Sequence, residues 1–394
     1  MNPETNPFSP GAGSPPPELV GRGPLLEDAR VLLVRTKRGL SEKSMLLTGL
    51  RGVGKTVLLN AIRDLAKAEG YLAIHIEAHE NKALGPLIAA QLRPLIFELD
   101  RMAGAGHLAK RALGVLRSFI GAIKVEVGEV TIGLDIEPLQ GAADSGDIEV
   151  DLPNLIEAVG EAARERGAAL GLFIDEVQYF SQRELGALIM AMHRVQQRRL
   201  PVVLLGAGLP ILPALAGESK SYAERLFAFP DIGALSQEDS SRALQEPAIK
   251  AGAHFEPQAL ADIFTLTNGY PYFIQEWGYQ SWKHAPDPVI TPAVVLTATT
   301  QVTSRLDTNF FRVRFDRLTP SEKRFMRAMA DLGPEPQRIS AIARRLNRQV
   351  RSLGPTRAQL ITKGMIYSPA HGDLAFTVPL FDQFMRRAMP NLDR

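Results

Sequence analysis

The stretch Gly49-Leu50-Arg51-Gly52-Val53-Gly54-Lys55-Thr56 fits the pattern G-x-x-x-x-G-K-[ST] at every fixed position. An apolar run precedes it at residues 46–49 and a helical pattern follows at 55–68, so the loop joins a strand to a helix. The glycines let backbone N–H groups cradle phosphates, and the positive end of the helix dipole faces the same anion. We expect Lys55 to reach the β- and γ-phosphates of a nucleotide and the Thr56 hydroxyl to ligate Mg²⁺. A glycine turn without function would leave Lys55 and Thr56 unexplained.

A second apolar run, residues 170–174, ends in the carboxylates Asp175 and Glu176. Ligands of open parallel sheets lie at the carboxyl ends of the strands. We therefore expect Asp175 to hold Mg²⁺, directly or through water, and Glu176 to orient and polarise an attacking water. A strand that simply ends in solvated acids is the alternative, but the phosphate loop favours the catalytic interpretation. Gln178 could help to place the water, although a surface glutamine is the simpler interpretation.

Further apolar runs at residues 71–76 and 201–205 predict two more strands, separated from the others by helical patterns. Continuously apolar strands that alternate with helices predict an α/β fold, with a parallel sheet covered by helices on both faces. Residues 82–120 predict helix, and the alternation at 124–138 predicts a β-hairpin insertion. We assign this P-loop core to residues 19–235.

Length and composition limit the remaining possibilities. A chain of 394 residues is too long for one compact core, so we expect two or three domains. The absence of cysteine excludes disulfides and thiolate chemistry, and a cytoplasmic location fits it. The most apolar run, residues 201–217, holds three prolines and is shorter than the ~20 residues of a spanning helix, so no membrane span is expected. Residues 1–18 lack the features of a signal peptide and are rich in Pro, Gly and Ser, which predicts a flexible segment.

The region after the core predicts two further parts. Residues 236–285 show only helical patterns, and residues 286–292 look like a linker, so a helical lid is assigned to 236–290. Residues 312–394 predict three helices and a hairpin, which is the pattern of a winged-helix domain. Its predicted elements are helices at 321–332, 338–346 and about 355–363, a hairpin at 365–378 and a last helix from about 379.

The predicted winged-helix domain is strongly basic. Residues 312–394 contain 16 Lys and Arg against 7 Asp and Glu, and the rest of the chain is acidic. This imbalance favours an anionic partner, double-stranded DNA, with the third helix in the major groove. A solvated arginine-rich surface or a protein-docking module are the alternatives. The candidate DNA contacts are Arg344, Arg345, Arg357 and Lys363.

Together these residues resemble the AAA+-type P-loop ATPases, in particular the archaeal and bacterial replication-initiator-like ATPases and the STAND signalling ATPases, over residues 19–390. Leu19-Val20-Gly21-Arg22 is similar to the adenine-side box of the family, residues 221–227 to the segment that carries a family arginine, and Gly269-Tyr270-Pro271 to the lid signature G-x-P. The resemblance implies ATP and Mg²⁺ as cofactors and nucleotide contacts from Val20, Arg22 and Pro271. It also implies that Arg225 is a catalytic arginine finger toward a neighbouring subunit. A salt bridge with Glu224 or another acid is the alternative for Arg225.

Two positions depart from the family pattern. The predicted fourth core strand ends in Gly206-Ala207-Gly208, where the family commonly has a polar sensor residue. A second-sensor arginine is not evident near residues 269–271. Both departures favour a slow switch over a motor. Arg51, inside the phosphate loop, is expected to face solvent.

We therefore expect an ATP-binding, slowly hydrolysing switch that couples nucleotide state to DNA binding through the winged helix. The alternative is a signalling or defence regulator in which the winged helix docks on protein and ATP drives homo-oligomerisation. A third possibility is a nucleotide-binding scaffold without turnover. Glu176 argues against this scaffold, whereas the glycines at 206–208 argue for it.

Overall fold

The computed structural model describes residues 1–11, 13, 16–17, 19–102, 107–127 and 137–392. The chain divides into two compact units. The first unit comprises Met1–Gly23, Gly49–Val57 and Ile232–Arg394, and the second comprises Pro24–Thr48 and Leu58–Asp231. Among the described residues, no helix combines the length and apolar character that crossing a membrane requires.

The second unit is built on a parallel sheet, which within the described residues has five strands in the order β2-β3-β4-β1-β5. Every residue of β1, β3 and β4 is buried, because helices flank the sheet. The predicted α/β P-loop fold is thereby confirmed. The strands are β1 Ser44–Thr48, β2 Tyr71–Glu77, β3 Ala169–Asp175, β4 Val202–Gly208 and β5 Phe227–Ala228.

The helices between these strands bury apolar faces against the sheet and against each other. The helix predicted at residues 55–68 is confirmed to the residue as α2, Lys55–Ala68. The others are α1 Gly23–Lys37, α3 Leu84–Arg101, α4 Leu108–Val127, α5 Ile148–Glu165, α6 Gln182–Gln197, α7 Leu212–Ser219 and α8 Ala223–Leu226.

The β-hairpin predicted at residues 124–138 is wrong at its start. Residues 124–127 continue α4, and residues 128–136 lie outside the described residues. Adding a residue to an existing helix costs far less than starting a new element, so α4 propagates through the alternating sequence there. The continuous helix predicted at 82–120 is instead two helices, α3 and α4.

The lid region of the first unit is mainly helical. The residues predicted as a linker, 286–292, contain a short strand, because buried Ile290 pairs in parallel with the strand at Phe255. The prediction also missed the helix that follows this strand. The elements are α9 Gln237–Lys250, β6 His254–Phe255, α10 Pro257–Thr267, α11 Pro271–His284, β7 Val289–Ile290, α12 Pro292–Leu306, a π-helical turn Asp307–Phe311 and α13 Arg312–Phe315.

The C-terminal elements follow the order predicted from the sequence, within about two residues at most ends, with a short extra strand before the second helix. The strands pair antiparallel in the order β8-β10-β9. The elements are α14 Pro320–Leu332, β8 Gln337–Arg338, α15 Ile339–Arg345, a 3₁₀ turn Val350–Leu353, α16 Gly354–Thr362, β9 Ile366–Tyr367, β10 Asp373–Phe376 and α17 Phe381–Ala388.

The N-terminal segment predicted to be flexible is packed on the lid at its first residues. Phe8 is only 2% exposed, and its ring lies edge-on to Phe255 at 6.0 Å. A Cβ at Gly278 would come within 2.8 Å of the Phe8 ring, so the missing side chain provides the space that the ring fills. The Trp282 indole N–H donates to the Asn2 carbonyl at 2.9 Å. A buried aromatic ring and hydrogen bonds to α11 thus hold a segment whose composition otherwise predicts disorder.

Candidate functional site

The phosphate loop follows a path that its glycines make possible. Gly52 and Gly54 have φ angles of 85° and 92°, in the left-handed region that side chains disfavour. A Cβ at Gly49 would collide with the Ile232 carbonyl oxygen. A Cβ at Gly54 would meet nothing within 4 Å, so space is open beside the loop there. The glycines of the motif therefore set the loop conformation and leave room beside it.

The Lys55 side chain reaches back to the first residues of this loop. Its side chain is almost buried, at 7% exposure, and Nζ donates to the carbonyls of Gly49 at 3.0 Å and Leu50 at 2.9 Å. Lys55 and Thr56 are the first residues of α2, where the helix dipole adds to the ammonium charge. The arrangement is suited to bind an anion.

Arg22 fixes the loop from the N-terminal side. Its guanidinium donates to the Val53 carbonyl at 3.2 Å and to the Gly233 carbonyl at 2.7 Å. Val20, two residues earlier, is buried. Arg22 therefore lies beside the loop, and its guanidinium ties two main-chain segments together.

The lid contacts the same loop through the residues around Pro271. The Tyr272 N–H donates to the Gly52 carbonyl at 3.2 Å, and Pro271 opens α11 one residue earlier. Gly269 has a φ of 73°, and its carbonyl accepts the Leu235 N–H at 2.8 Å. The signature at residues 269–271 thus bends the chain so that the start of α11 meets the loop.

The C-terminal domain also reaches the phosphate loop, a contact that no sequence pattern predicts. The Arg51 N–H donates to the Thr377 carbonyl at 3.0 Å. Thr377 is fully buried, and its hydroxyl donates to the carbonyls of Gly364 and Met365. Arg51 is half-buried rather than solvent-facing. A residue of the loop is therefore bound, main chain to main chain, to a rigid part of the C-terminal domain.

Aromatic side chains extend this connection through the first unit. The Tyr272 ring stacks on Phe310 at 4.7 Å, Phe310 lies edge-on to Phe311 at 5.1 Å, and Phe311 stacks on Phe384 at 5.3 Å. Because Tyr272 touches the loop and Phe384 belongs to α17, these rings form a continuous packed path between the two. Packed aromatic pairs of this kind contribute about 0.5–1.5 kcal/mol each beyond their burial.

In the second unit, the carboxyl ends of the parallel strands lie at one edge of the sheet. Thr48, Asp175 and Gly208 end β1, β3 and β4, and the pairing sets Thr48 opposite Gly208. Asp175 is 4% exposed, and its Oδ1 accepts the N–H of Glu176 at 2.8 Å. The acidic pair therefore lies where parallel sheets bind ligands.

Glu176 has an unusual backbone for a side chain of its size. Its φ of 54° and ψ of 39° are left-handed, which costs about 1–2 kcal/mol for a non-glycine residue. The Tyr179 N–H donates to the Glu176 carbonyl at 3.0 Å and closes a 3₁₀ turn at Val177–Tyr179. Strain of this kind concentrates at functional sites.

Gln178, in that turn, connects the acidic pair to the end of β4. Its Nε2 donates to Glu176 Oε2, and its Oε1 accepts the Leu209 N–H at 3.0 Å. The sequence interpretation as a surface glutamine missed this bridge, because the contact depends on the left-handed turn at Glu176.

Arg225 lies in the short helix α8 with an exposed side chain. In the part of the chain that the structure describes, no ion pair joins it to Glu224. Exposure is compatible with a finger directed at another subunit, and equally with a surface arginine.

The basic residues chosen as DNA contacts differ in their surroundings. Arg344 is exposed, whereas Arg357 is half-buried. Arg345 pairs with Asp331 at 2.5 Å, and Lys363 pairs with Glu322 at 2.7 Å. Two of the four side chains are therefore engaged within the domain.

These ion pairs lower the pKa values of the acids that they contact. Glu322 is 1% exposed, and burial alone would raise its pKa, but hydrogen bonds from Lys363 and Thr319 hold the pKa below its usual value. Burial would also raise the pKa of Asp331, but hydrogen bonds and charge from Arg327 and Arg345 outweigh burial and lower that pKa. Both acids are kept ionised by contacts inside the domain.

Two segments of the chain match models of known protein families. Residues 18–205 match the family model described as "AAA ATPase domain", and residues 308–385 match one described as "Domain of unknown function (DUF8462)". None of the curated proteins matches the chain significantly.

Among solved structures, the chain is similar to the Walker-type ATPase PABY2304 of Pyrococcus abyssi, at 15% identity and a TM-score of 0.59, over 93% of this chain and 96% of that one. Other matches are Cdc6p of Pyrobaculum aerophilum, at 16% identity and a TM-score of 0.47 over 98% and 97%, and Orc1 of Aeropyrum pernix in complex with DNA, at 15% and 0.45 over 96% and 94%. The first match is evidence for the fold alone, and no argument is drawn from the other two, whose TM-scores are below 0.5. Residues 18–205 are thus similar in sequence to AAA ATPase domains, and the fold that contains them is the α/β P-loop fold.

Proposed function

We propose that this protein is an ATP-dependent switch that hydrolyses ATP slowly and couples its nucleotide state to duplex DNA binding by a C-terminal winged helix. The observation that carries the proposal is the double attachment of the phosphate loop. The lid holds it through the Tyr272 N–H and the Gly52 carbonyl, and the C-terminal domain holds it through the Arg51 N–H and the Thr377 carbonyl.

ATP fits the residues of the loop. The backbone N–H groups from Gly52 to Thr56 would cradle the β-phosphate, and Lys55 would contact the β- and γ-phosphates. The space beside Gly54 and the position of Lys55 support this assignment. Val20, Arg22 and Pro271 would border the base, with Arg22 acting chiefly by fixing the loop.

Mg²⁺ would be held by the Thr56 hydroxyl and the Asp175 carboxylate, which are hard oxygen ligands. The ion would neutralise the charge that develops on the phosphates during hydrolysis. Glu176 would polarise the attacking water, and its left-handed backbone fixes where its carboxylate begins. Arg225 would act on the nucleotide of a neighbouring subunit.

The coupling would run through the loop itself. Filling the loop with phosphates reorganises its backbone, so the hydrogen bonds of Gly52 and Arg51 must adjust. The lid and the C-terminal domain are bonded to these two residues, and the aromatic path links them to each other. Nucleotide state would thereby bias the position of the C-terminal domain.

The DNA contact would be made by the exposed basic side chains of the C-terminal domain. Its excess of Lys and Arg and the helix–helix–hairpin order support a winged helix that contacts a duplex. Arg344, Arg348 and Arg351 are exposed and suited to phosphate contacts, whereas Arg345 and Lys363 are already paired.

The test is ATP turnover by the purified protein, with and without duplex DNA, at low and moderate salt, beside the variant Glu176→Gln. We expect slow turnover that DNA stimulates and salt suppresses, and none in the variant, which should still bind ATP. Turnover indifferent to DNA, with no salt-dependent DNA binding, would contradict the proposal.

A second candidate is a signalling or defence regulator that is shut by its own C-terminal domain. The bond between Arg51 and Thr377 favours it, because a domain bound to the phosphate loop could restrain the loop until a partner releases it. ATP would then drive self-association, with exposed Arg225 at the interface. Sedimentation with and without ATP, combined with DNA binding at several salt concentrations, separates the two proposals, since the regulator should assemble on ATP and fail to bind DNA.

A further inference from the structure

We propose that Gln178 is a positioning residue that orients the carboxylate of Glu176 and replaces the polar sensor that β4 lacks. The inference rests on the proposed ATP hydrolysis. It concerns residues of the second unit alone and names a role that neither the motif nor the family resemblance assigns.

The two hydrogen bonds of the Gln178 side chain leave it only one orientation. Glu176 Oε2 accepts from its Nε2, and the Leu209 N–H donates to its Oε1 at 3.0 Å. An ionised carboxylate can only accept and a backbone N–H can only donate, so rotation of the amide by 180° would lose both bonds. Gln178 therefore presents an N–H to Glu176 at a fixed point.

The end of β4 is shaped around this side chain. A Cβ at Gly208 would lie 2.7 Å from Gln178 Oε1 and 3.0 Å from Leu212 Cδ2. A Cβ at Gly206 would lie 2.6 Å from Leu46 Cδ2 and 3.0 Å from Val177 Cγ2. The glycines that remove a sensor from β4 are thus the same glycines that admit residues 177 and 178.

The backbone of Glu176 completes the arrangement. Its left-handed conformation turns the chain into the 3₁₀ turn, which brings Gln178 back toward the carboxylate two residues before it. The carboxylate is then held between its own strained backbone and an amide anchored on β4. A base fixed in this way loses less freedom when it takes up its catalytic position.

The bridge also connects β4 to the base. Leu209 is the first residue after β4, and its N–H donates to the Gln178 side chain. A displacement of the end of β4 would therefore move the Gln178 amide that orients Glu176. A polar sensor on β4 would act directly on the nucleotide or water, whereas here the strand end acts through Gln178.

The test uses steady-state ATPase kinetics and ATP affinity of Gln178→Ala, Gln178→Glu and Gln178→Ala,Gly208→Ser. We expect Gln178→Ala to lower kcat about 10- to 100-fold, as removal of an orienting partner does, with ATP affinity and melting temperature close to wild type. Gln178→Glu keeps an acceptor for the Leu209 N–H but presents no donor to Glu176, so it should lower kcat as Gln178→Ala does. A serine at 208, which fits once Oε1 is gone and Leu212 Cδ2 moves by a few tenths of an ångström, should restore part of kcat.

Gln197→Ala, an exposed glutamine on α6, is the matched control and should behave as wild type. Unchanged kcat in the Gln178 variants, in an assay where wild type turns over and Glu176→Gln does not, would overturn the inference and leave the proposed function standing. A loss of kcat that only follows lost melting temperature or ATP affinity would also overturn it. Wild-type protein that binds ATP and never hydrolyses it would instead overturn the proposed hydrolysis, and the role of Gln178 with it.

Discussion

Lys55 illustrates how single residues of the site depend on their immediate main chain. The carbonyls of Gly49 and Leu50 hold its ammonium, and these carbonyls point there because Gly52 and Gly54 allow the loop to turn. The ammonium charge, the helix dipole and the loop shape therefore all favour an anion at the start of α2. Replacing the Lys55 side chain removes only the charge.

We predict that Lys55→Ala weakens ATP binding by at least about 100-fold, since a lost charge-assisted hydrogen bond and its Coulomb attraction amount to roughly 3 kcal/mol. Isothermal titration with ATP and Mg²⁺ measures the effect. Lys67→Ala, an exposed lysine of the same helix, is the control and should bind ATP normally. Tight ATP binding by Lys55→Ala would contradict the site assignment.

At the scale of elements, α15 shows how the surroundings of a residue change its predicted role. Arg344 and Arg345 are neighbours in sequence, and both were expected to contact DNA. In the structure both side chains are exposed, but Arg345 also pairs with Asp331 on α14. A helix places adjacent residues about 100° apart, so the two neighbours meet different surroundings.

We predict that Arg344→Ala lowers DNA affinity and reduces the slope of log affinity against log salt by about one. Arg345→Ala should instead reduce stability by about 1 kcal/mol, because its pair is partly exposed, and change the salt slope little. Fluorescence anisotropy at several salt concentrations and thermal denaturation measure the two effects. Unchanged DNA affinity and salt slope in both variants would remove α15 from the DNA interface.

The ion pair of Glu322 with Lys363 makes the C-terminal domain sensitive to acid. The pKa of Glu322 is lowered in the folded protein, so its stabilising contribution is complete above the unfolded value of about 4.5 and is lost as pH falls below it. We predict that the protection of amides in residues 320–388, measured as the exchange rate relative to the intrinsic rate at each pH, falls as pH is lowered below about 4.5.

Glu322→Gln should flatten this acid dependence and lower stability at neutral pH by about 1–3 kcal/mol, because Lys363 loses its partner. Glu335→Gln, on an exposed acid of the same domain, is the control. An unaltered pH dependence in Glu322→Gln would show that other acids control the transition.

Much of the fold follows from local patterns. Apolar runs identify the strands, and the lysine of the motif marks the first residue of α2, because sequence periodicity and a phosphate loop are local signals. The missed features are nonlocal: Phe8 is fixed by a space at Gly278, and Gln178 is oriented by Leu209. In each case the two partners are 30 or more residues apart in sequence, so hydrophobic periodicity, which is a local signal, cannot predict the contact.

At the scale of the whole molecule, the first unit joins the phosphate loop, the lid and the C-terminal domain, although the loop is far from both in sequence. Among the described residues, the joining contacts include two backbone hydrogen bonds and a path of aromatic rings. Hydrogen bonds to the loop backbone make a link that a modest change in the loop can alter, which suits a switch.

We predict that Tyr272→Ala leaves basal ATP hydrolysis within about threefold of wild type but reduces the stimulation of hydrolysis by DNA. The variant keeps its backbone N–H to Gly52 and loses the stack on Phe310, so only the aromatic path is interrupted. Turnover with and without DNA is the measurement, and Phe310→Leu should give the same result. Undiminished stimulation in both variants would exclude the aromatic path from the coupling.

The link between Arg51 and Thr377 has a further consequence, because both of its atoms belong to the polypeptide backbone. Alanine scanning would pass over it, since replacement of either side chain leaves the amide and the carbonyl in place. Evolution could likewise exchange both residues independently, so related chains need show no correlated substitutions at the two sites. Only a change in the chain itself, such as an amide-to-ester replacement or a proline at position 51, would interrupt a connection of this kind.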